Sequence, residues 1–111
     1  MNPRLPALLL SALAGSVQAA APARHHVALV CEAVYLPARS TWSRQVEIDY
    51  DQRKVTAVRI DGVTVYSFSV TGTVILTAVD NERIQIDAAA PSWQSDFRGL
   101  AQSQGHCERT P

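Results

Sequence analysis

The feature that most restricts the fold of this chain is an alternation of apolar and polar residues with a period of two. Val46, Ile48 and Tyr50 alternate with polar residues, which predicts a β-strand with one buried and one solvated face. The same pattern recurs around Ile84 and Ile86. Because a helix needs apolar residues three and four positions apart to build one buried face, this spacing favours strands. The chain is therefore expected to form an all-β domain in which helix is minor.

Turn-forming residues separate these strands at short intervals. Asp61-Gly62 is the strongest turn signal, because a two-residue type I′ hairpin requires positive φ at both central positions. Thr71-Gly72 marks another turn. The predicted strands span residues 27–34, 44–50, 54–60, 63–70, 73–79 and 83–88, with one or two short closing strands within 93–100 and 106–109. Six to eight such strands predict a small antiparallel meander that closes as a barrel or packs as a two-layer sandwich, since an open sheet would leave one apolar face and two edges bare.

The first part of the chain has the organisation of a cleaved signal peptide. Arg4 supplies a positive charge, an apolar run follows, and small residues precede candidate cleavage sites after Ala19 and after Ala21. The apolar run is shorter than the roughly 20 residues that span a bilayer. The alternative, a buried first helix, lacks caps at both ends. Residues 1–21 are therefore predicted to be a signal peptide, and residues 22–111 to be a single domain of a periplasmic or secreted protein.

Both cysteines, Cys31 and Cys107, lie near the two ends of the predicted mature domain. An even number of cysteines in a small exported domain is typical of a disulfide. Their wide separation lacks the clustered spacing of a metal site or of a redox-active pair. The sequence therefore predicts one structural disulfide between Cys31 and Cys107.

Charge and polar composition argue against several classes of function. Ten Lys or Arg residues balance ten Asp or Glu residues, so the chain lacks the basic surface that nucleic acid or an anionic membrane would require. No cysteine near position 20 is placed to carry a lipid anchor. The serines lie outside a nucleophile elbow, and no triad can be argued with the three histidines. His25 and His26 are expected to lie on an N-terminal tail, and His106 beside the disulfide. The sequence therefore predicts a non-enzymatic protein without a cofactor or metal, and it leaves the oligomeric state open.

A segment rich in aromatic and arginine side chains follows the first predicted strand. Residues 36–44 are expected to form a loop longer than an ordinary hairpin turn. Tryptophan, tyrosine and arginine often carry the binding energy of interfaces, so this segment is expected to recognise a partner protein or a cell-wall glycan. The candidate binding residues are Tyr35, Arg39, Trp42 and Arg44. The alternative is that Trp42 plugs one end of the barrel while the arginines are solvated.

A second segment, residues 91–99, joins two predicted strands near the end of the chain. Trp93 and Phe97 in this segment are expected to cover the core, and Asp96 and Arg98 to form a surface pair. Binding by this segment is the alternative.

The predicted mature chain resembles uncharacterised small secreted proteins of Gram-negative bacteria. This resemblance is carried by residues 36–42, 80–84 and 95–100, followed by a terminal Gly-x-Cys. It covers the mature chain and implies no particular activity.

A more distant similarity is to the periplasmic inhibitors of c-type lysozyme. The shared features are a leader, a β-rich domain of this size and cysteines near both ends, and the resemblance implies a small barrel that inhibits an enzyme. Those inhibitors use a Ser-Gly-x-x-Tyr motif and a tyrosine near the final cysteine. Here Asp61 stands in place of the serine, one additional residue precedes Tyr66, and no tyrosine lies near Cys107. No inhibitor residue is therefore carried over to this chain.

Three functions of different classes are compatible with these features. We expect a periplasmic binding or interaction module of unknown ligand that uses residues 35–44. The second hypothesis is an inhibitor of a secreted hydrolase such as c-type lysozyme. The third is an envelope protein with a structural or stress-related role.

Overall fold

The computed structural model describes residues 24–111, and it contains nine β-strands and no helix within that part of the chain. The strands are β1 (Arg24–Leu36), β2 (Ser40–Asp51), β3 (Lys54–Ile60), β4 (Val63–Val65), β5 (Phe68–Thr71), β6 (Val74–Val79), β7 (Glu82–Asp87), β8 (Ser92–Phe97) and β9 (Ala101–Arg109). The all-β prediction is confirmed. The predicted signal peptide, residues 1–21, lies outside the described residues.

All hydrogen-bonded strand neighbours are antiparallel, in the order β4-β3-β2-β1-β9-β8-β7-β6-β5. Strands that follow each other in sequence therefore pair, except β4 and β5, and β1 pairs with β9 where the two ends of the meander meet. This pairing rolls the sheet into a nearly closed barrel. We call the upper end the one that carries the β1–β2, β3–β4, β6–β7 and β8–β9 turns. The lower end carries the other turns, the start of β1 and the end of β9.

The barrel wall changes its pairing in the middle of one predicted strand. Residues 63–70 were expected to form a single strand, but the chain is paired in two pieces, β4 and β5, that run in the same direction. The upper piece, β4, pairs only with β3, and the lower piece, β5, pairs only with β6. Tyr66 lies at the break, with 93% of its surface exposed. This segment pairs first with β3 and then with β6. On the side that faces it, neither β3 nor β6 is therefore paired along its full length.

The core is built from the inward-facing side chains of these strands. Alternation along the strands places most apolar residues inside and most polar residues outside, as the sequence pattern predicted. The buried apolar residues are Leu29, Cys31, Ala33, Val46, Ile48, Val58, Ile60, Val65, Ile75, Ile84, Ile86, Trp93 and Cys107. Trp93 is completely buried, which confirms its predicted place in the core, whereas Phe97 is 36% exposed. Residues 92–97 form strand β8, which confirms the closing strand predicted within residues 93–100 and corrects the interpretation of residues 91–99 as a loop.

The disulfide between Cys31 and Cys107 is present, and it joins directly opposite residues of β1 and β9. It closes a loop with a sequence separation of 76. The entropy of closing a loop of this length in the unfolded chain corresponds to about 4.5 kcal/mol of stability. Next to the bridge, β9 comes so close to β1 that a Cβ on Gly105 would lie 1.8 Å from the carbonyl oxygen of Glu32. The close approach of the first and last strands at this place therefore requires a glycine at position 105.

His25 and His26 were predicted to lie on a tail, and this prediction is wrong because both belong to β1. The His25 ring stacks on Tyr50 of β2 at a centroid distance of 5.0 Å. His26 Nδ1 lies 2.5 Å from Asp49 Oδ1, and this contact is the first cause of the lowered pKa of Asp49. These contacts attach the beginning of β1, which extends below its pairing with β9, to the neighbouring strand β2.

Candidate functional site

The segment predicted as a long loop forms most of a β-hairpin. β1 continues to Leu36 and β2 begins at Ser40, so the connection is a short turn that ends at Arg39. Arg39 adopts a positive φ of 63°, and its backbone N–H donates to the carbonyl of Tyr35 at 2.7 Å. The loop prediction is wrong because pairing with β1 extends β2 through the polar residues at its start.

Arg44 points from β2 into the upper end of the barrel, where its side chain is only 14% exposed. Its Nε donates to Asp61 Oδ2 at 2.6 Å, and its Nη1 donates to Glu82 Oε1 at 3.0 Å. The Tyr35 hydroxyl donates to Glu82 Oε2 at 2.5 Å and accepts a hydrogen bond from Arg44 Nη1 at 2.5 Å. The guanidinium also lies 4.7 Å from the centroid of the Trp93 ring, in cation–π geometry. The alternative prediction in which Arg44 is solvated is therefore wrong.

Two serines extend this network into the barrel. Ser95 Oγ donates to Glu82 Oε2 at 2.6 Å. Because a hydroxyl has one proton, Ser103 must be the donor in its 2.5 Å contact with Ser95. Ser103 also accepts the indole N–H of Trp93 at 2.9 Å. We call Tyr35, Arg44, Asp61, Glu82, Ser95 and Ser103 the polar cluster.

The pKa shifts in the polar cluster agree with this geometry. Burial raises the pKa of Glu82, but the hydrogen bonds from Ser95, Tyr35 and Arg44 outweigh burial and place that pKa below its ordinary value. Burial lowers the pKa of Arg44, but the hydrogen bonds to Asp61 and Glu82 outweigh it and raise that pKa. Burial, followed by the hydrogen bond to Glu82, raises the pKa of Tyr35. At neutral pH the cluster therefore holds an ionised Arg44–Glu82 pair beside a neutral tyrosine.

The hydrogen-bonding capacity of the polar cluster is largely used within the cluster itself. A network of this kind in a partly buried site fixes the strands that contribute to it. It joins β1, β2, β7, β8 and β9 to the β3–β4 turn across the upper end of the barrel. The network therefore holds the base of the β1–β2 hairpin in one conformation.

Trp42 lies on this hairpin, two positions before Arg44, and 62% of its surface is exposed. It does not plug the barrel, so that alternative prediction is wrong. An opening of about 500 Å³ lies beside it, lined by Tyr35, Trp42, Ser43, Arg44 and Asp61. An exposed aromatic ring therefore stands next to the polar cluster, above the end of the barrel.

The edge of β2 beside Trp42 has no neighbouring strand within residues 24–111. Pairing of β2 with β3 begins only at Val46, and Asp61 bonds Gln45 through its own backbone N–H and through its carboxylate. Since successive residues of a strand direct their backbone groups to opposite sides, Thr41 and Ser43 direct theirs to the same side as Gln45, away from β1. We call the backbone of residues 40–44 on this side the open edge.

The structure brings three of the four predicted site residues together. Tyr35, Trp42 and Arg44 line the same opening, whereas Arg39 lies in the hairpin turn, outside that lining. Sequence reasoning missed the other members of the polar cluster, which come from distant strands. The sequence contained one signal for Glu82. Ile84 and Ile86 face inward, and the alternation of the strand places Glu82 on the same side. Asp61 was identified only as a turn residue.

A third surface lies on the outside of the barrel wall. Gln85, Gln94 and Gln104 face one another in register on β7, β8 and β9, along a concavity of about 640 Å³. Val34 and Leu76 flank this row of glutamines. The concavity is lined by no aromatic side chain among the described residues, so it lacks the anchor that the open edge has in Trp42.

Comparison of the chain with protein families, with curated proteins and with solved structures finds no match. No helix within residues 24–111 is long and apolar enough to cross a membrane. The same part of the chain contains no group of three or more His, Cys, Asp or Glu side chains that could hold a metal ion. The residues of the candidate site are therefore assigned from their positions and contacts in the structure.

Proposed function

We propose that this protein is an exported binding module that captures an extended segment of a partner protein along the open edge, with Trp42 as the anchor. The observation that carries the proposal is the position of an exposed Trp42 beside backbone groups that have no neighbouring strand among the described residues. Export to the periplasm or the extracellular space is supported by the predicted signal peptide and by the disulfide, because disulfides persist in oxidising compartments.

An exposed tryptophan alone would be weak support, because single exposed apolar residues are common on soluble proteins. Here the indole projects from a hairpin whose base is held by the Arg44–Glu82 ion pair. A rigid aromatic side chain loses little conformational entropy on binding, which is why tryptophan is frequent among the residues that dominate interface energy. Trp42 therefore has the placement expected of an anchor.

The class of partner follows from strand addition, in which an extended peptide pairs with an exposed strand edge. Thr41 and Ser43 each offer a backbone N–H and C=O at the open edge, and an extended peptide can pair with all four groups. Charge contributes little to selection at this site, because Arg44 is already paired with Asp61 and Glu82. The partner is therefore an extended segment that places an apolar side chain on Trp42.

The first experiment captures the partner and tests the anchor. The oxidised protein is immobilised and exposed to envelope extract supplemented with c-type lysozyme, and retained proteins are identified by mass. Trp42→Ala should lose the retained protein while its Tm stays close to that of the unsubstituted protein. Tyr66→Ala is the matched control, because Tyr66 is an aromatic residue at 93% exposure elsewhere on the surface, and it should retain the partner.

Either of two results would contradict the anchor. Equal retention by Trp42→Ala would place binding elsewhere, and failure of the unsubstituted protein to retain anything would remove a soluble protein partner. Retention of lysozyme, followed by inhibition of its activity at equimolar protein, would assign the captured segment to that enzyme.

A second experiment tests strand addition itself. Ser43→Pro removes one N–H from the open edge, and it does not remove a hydrogen bond to β1 because that N–H is directed away from β1. The variant should fold, keep Trp42 and bind the captured partner at least tenfold more weakly. Ser43→Ala keeps the N–H and should bind normally. Unchanged affinity of the proline variant would show that the partner contacts side chains only.

A further inference from the structure

The lower end of the barrel contains an opening that the proposed function does not use. β4 pairs with β3 only over Val58–Ile60, so the lower half of β3 lacks a paired strand on that side within the described chain. Below the break in the wall, the chain pairs with β6 instead, as β5. A cavity of about 200 Å³ lies at this place, between Val55 of β3 and Val70 of β5. The opening is therefore a consequence of the exchange of strand partners.

Apolar side chains form the wall and floor of this cavity. Ile48 and Ile75 belong to the buried core, and Val70 is 42% exposed to solvent. The apolar side chains that line it are Val27, Ile48, Tyr50, Val55, Val70, Ile75 and Ala88. Exposed apolar surface in a concave site favours an apolar ligand, because its burial removes both surfaces from water.

Two positively charged side chains line the apolar cavity. Arg53 in the β2–β3 turn and Arg109 at the end of β9 both line it, and neither forms an ion pair within residues 24–111. The nearby carboxylate of Asp87 already accepts the Thr73 hydroxyl and the Ala89 backbone N–H. Two arginines beside an apolar cavity complement a ligand with an apolar chain and an anionic head group.

We propose that the lower end of the barrel binds a medium-chain aliphatic carboxylate, with its hydrocarbon chain in the cavity and its head group between Arg53 and Arg109. The volume limits the length of the chain, because about 200 Å³ is less than the roughly 300–1,000 Å³ of typical small-molecule sites. This site is separate from the open edge and goes beyond the function proposed for it.

The test uses decanoate below its micelle-forming concentration and the oxidised, exported protein. Isothermal titration should detect saturable binding, and the affinity should fall about fourfold for each methylene removed from the chain. Amide chemical-shift changes should be largest at Val55, Val70 and Thr73. Nonyltrimethylammonium, which has the opposite charge and the same alkyl chain, should bind at least tenfold more weakly than decanoate.

Variants separate the head-group contact from the apolar contact. The double substitution Arg53→Gln and Arg109→Gln should weaken decanoate binding at least tenfold and leave decanol binding unchanged. Val70→Asp should weaken both ligands. Arg83→Gln is the matched control, because Arg83 is an exposed arginine on β7 that does not line this cavity, and it should bind decanoate normally.

Three results would overturn the proposal: no saturable binding of decanoate, equal binding by the double arginine variant, or shift changes confined to the upper end of the barrel. Trp42→Ala should bind decanoate normally. A negative result for decanoate binding therefore leaves the open-edge proposal unaffected, and the reverse is also true.

Discussion

The two ends of this barrel are built from the same strands, but the upper end contains a polar network and the lower end contains an apolar cavity. At the upper end, the strands contribute Tyr35, Arg44 and Glu82 to the interior, and hydrogen bonds connect these side chains across the barrel. At the lower end, the corresponding inward positions include Tyr50 and Val55, and the cavity between the strands stays open. The upper end is held by a partly buried network of directional contacts. The interior of the lower end is held by apolar packing, and the side-chain hydrogen bonds there, such as His26–Asp49 and Thr73–Asp87, are exposed.

This contrast shows that one sheet can supply two different kinds of surface. A charged pair below the protein surface is stable only when its partners satisfy it, so the upper end has to be specific and rigid. Apolar packing is not directional, so the lower end tolerates an opening of about 200 Å³.

The largest effect is expected from the disulfide, which lies between the two ends. Replacement of both Cys31 and Cys107 by serine should reduce the free energy of unfolding by about 4.5 kcal/mol, because the unfolded chain regains the entropy of an open loop. Urea unfolding of the oxidised protein and the variant measures the difference. A loss near zero would mean that β1–β9 pairing closes the barrel without the bridge.

The next effect compares one arginine from each end. Arg44→Met should cost about 3 kcal/mol, because it leaves Glu82 partly buried without its cation. Arg53→Met at the lower end should change stability by no more than the ~0.5 kcal/mol that is typical of surface substitutions. Thermal and urea unfolding of both variants checks the comparison. Equal losses would show that the upper end is not held by its ion pair.

The pH dependence of stability isolates Glu82. Its pKa in the folded protein lies below the ordinary value of 4.5, so its stabilising contribution is complete above that value and is lost as the pH falls through the folded pKa. Glu82→Gln should therefore unfold more easily at pH 7, by about 1–2 kcal/mol, and lose less stability on acidification below pH 5. The lowered pKa values of Asp49 and Asp87 leave part of the acid sensitivity in the variant. Parallel pH profiles for the two proteins would contradict this assignment.

The smallest effect on stability is expected at Trp42. Because 62% of its surface is already in solvent, Trp42→Ala should change the free energy of unfolding by no more than about 0.5 kcal/mol. Differential scanning calorimetry on the variant measures this directly. A loss of several kcal/mol would mean that Trp42 belongs to the rigid upper end as a packing residue, and the anchor assignment would fail.

Periodicity and turn chemistry were sufficient to predict much of the fold. The alternation around Val46 and Ile48 depends only on local sequence, and so does the Asp61-Gly62 turn, in which both residues have positive φ. The start of β2 was missed for the opposite reason. Ser40–Arg44 has no clear alternation, and it becomes a strand because β1 lies beside it.

The candidate site was only partly accessible from sequence. Tyr35, Trp42 and Arg44 are close together in the chain, and their residue types suggested an interface. Glu82 and Ser103 contribute to the same cluster from strands that lie far away in the chain. Such contacts depend on the register of several strand pairs together, and a single sequence does not specify that register.

By itself, the sequence determined the β class, the disulfide between the only two cysteines and the direction in which most strand residues face. These properties depend on local periodicity, on turn conformation and on the number of cysteines. Only the tertiary structure decided that the sheet closes as a barrel, that Arg44 turns inward while Trp42 stays in solvent, and that the wall opens at the lower end. Those outcomes depend on which strands meet across the barrel, and strand partnership is a property of the whole sheet.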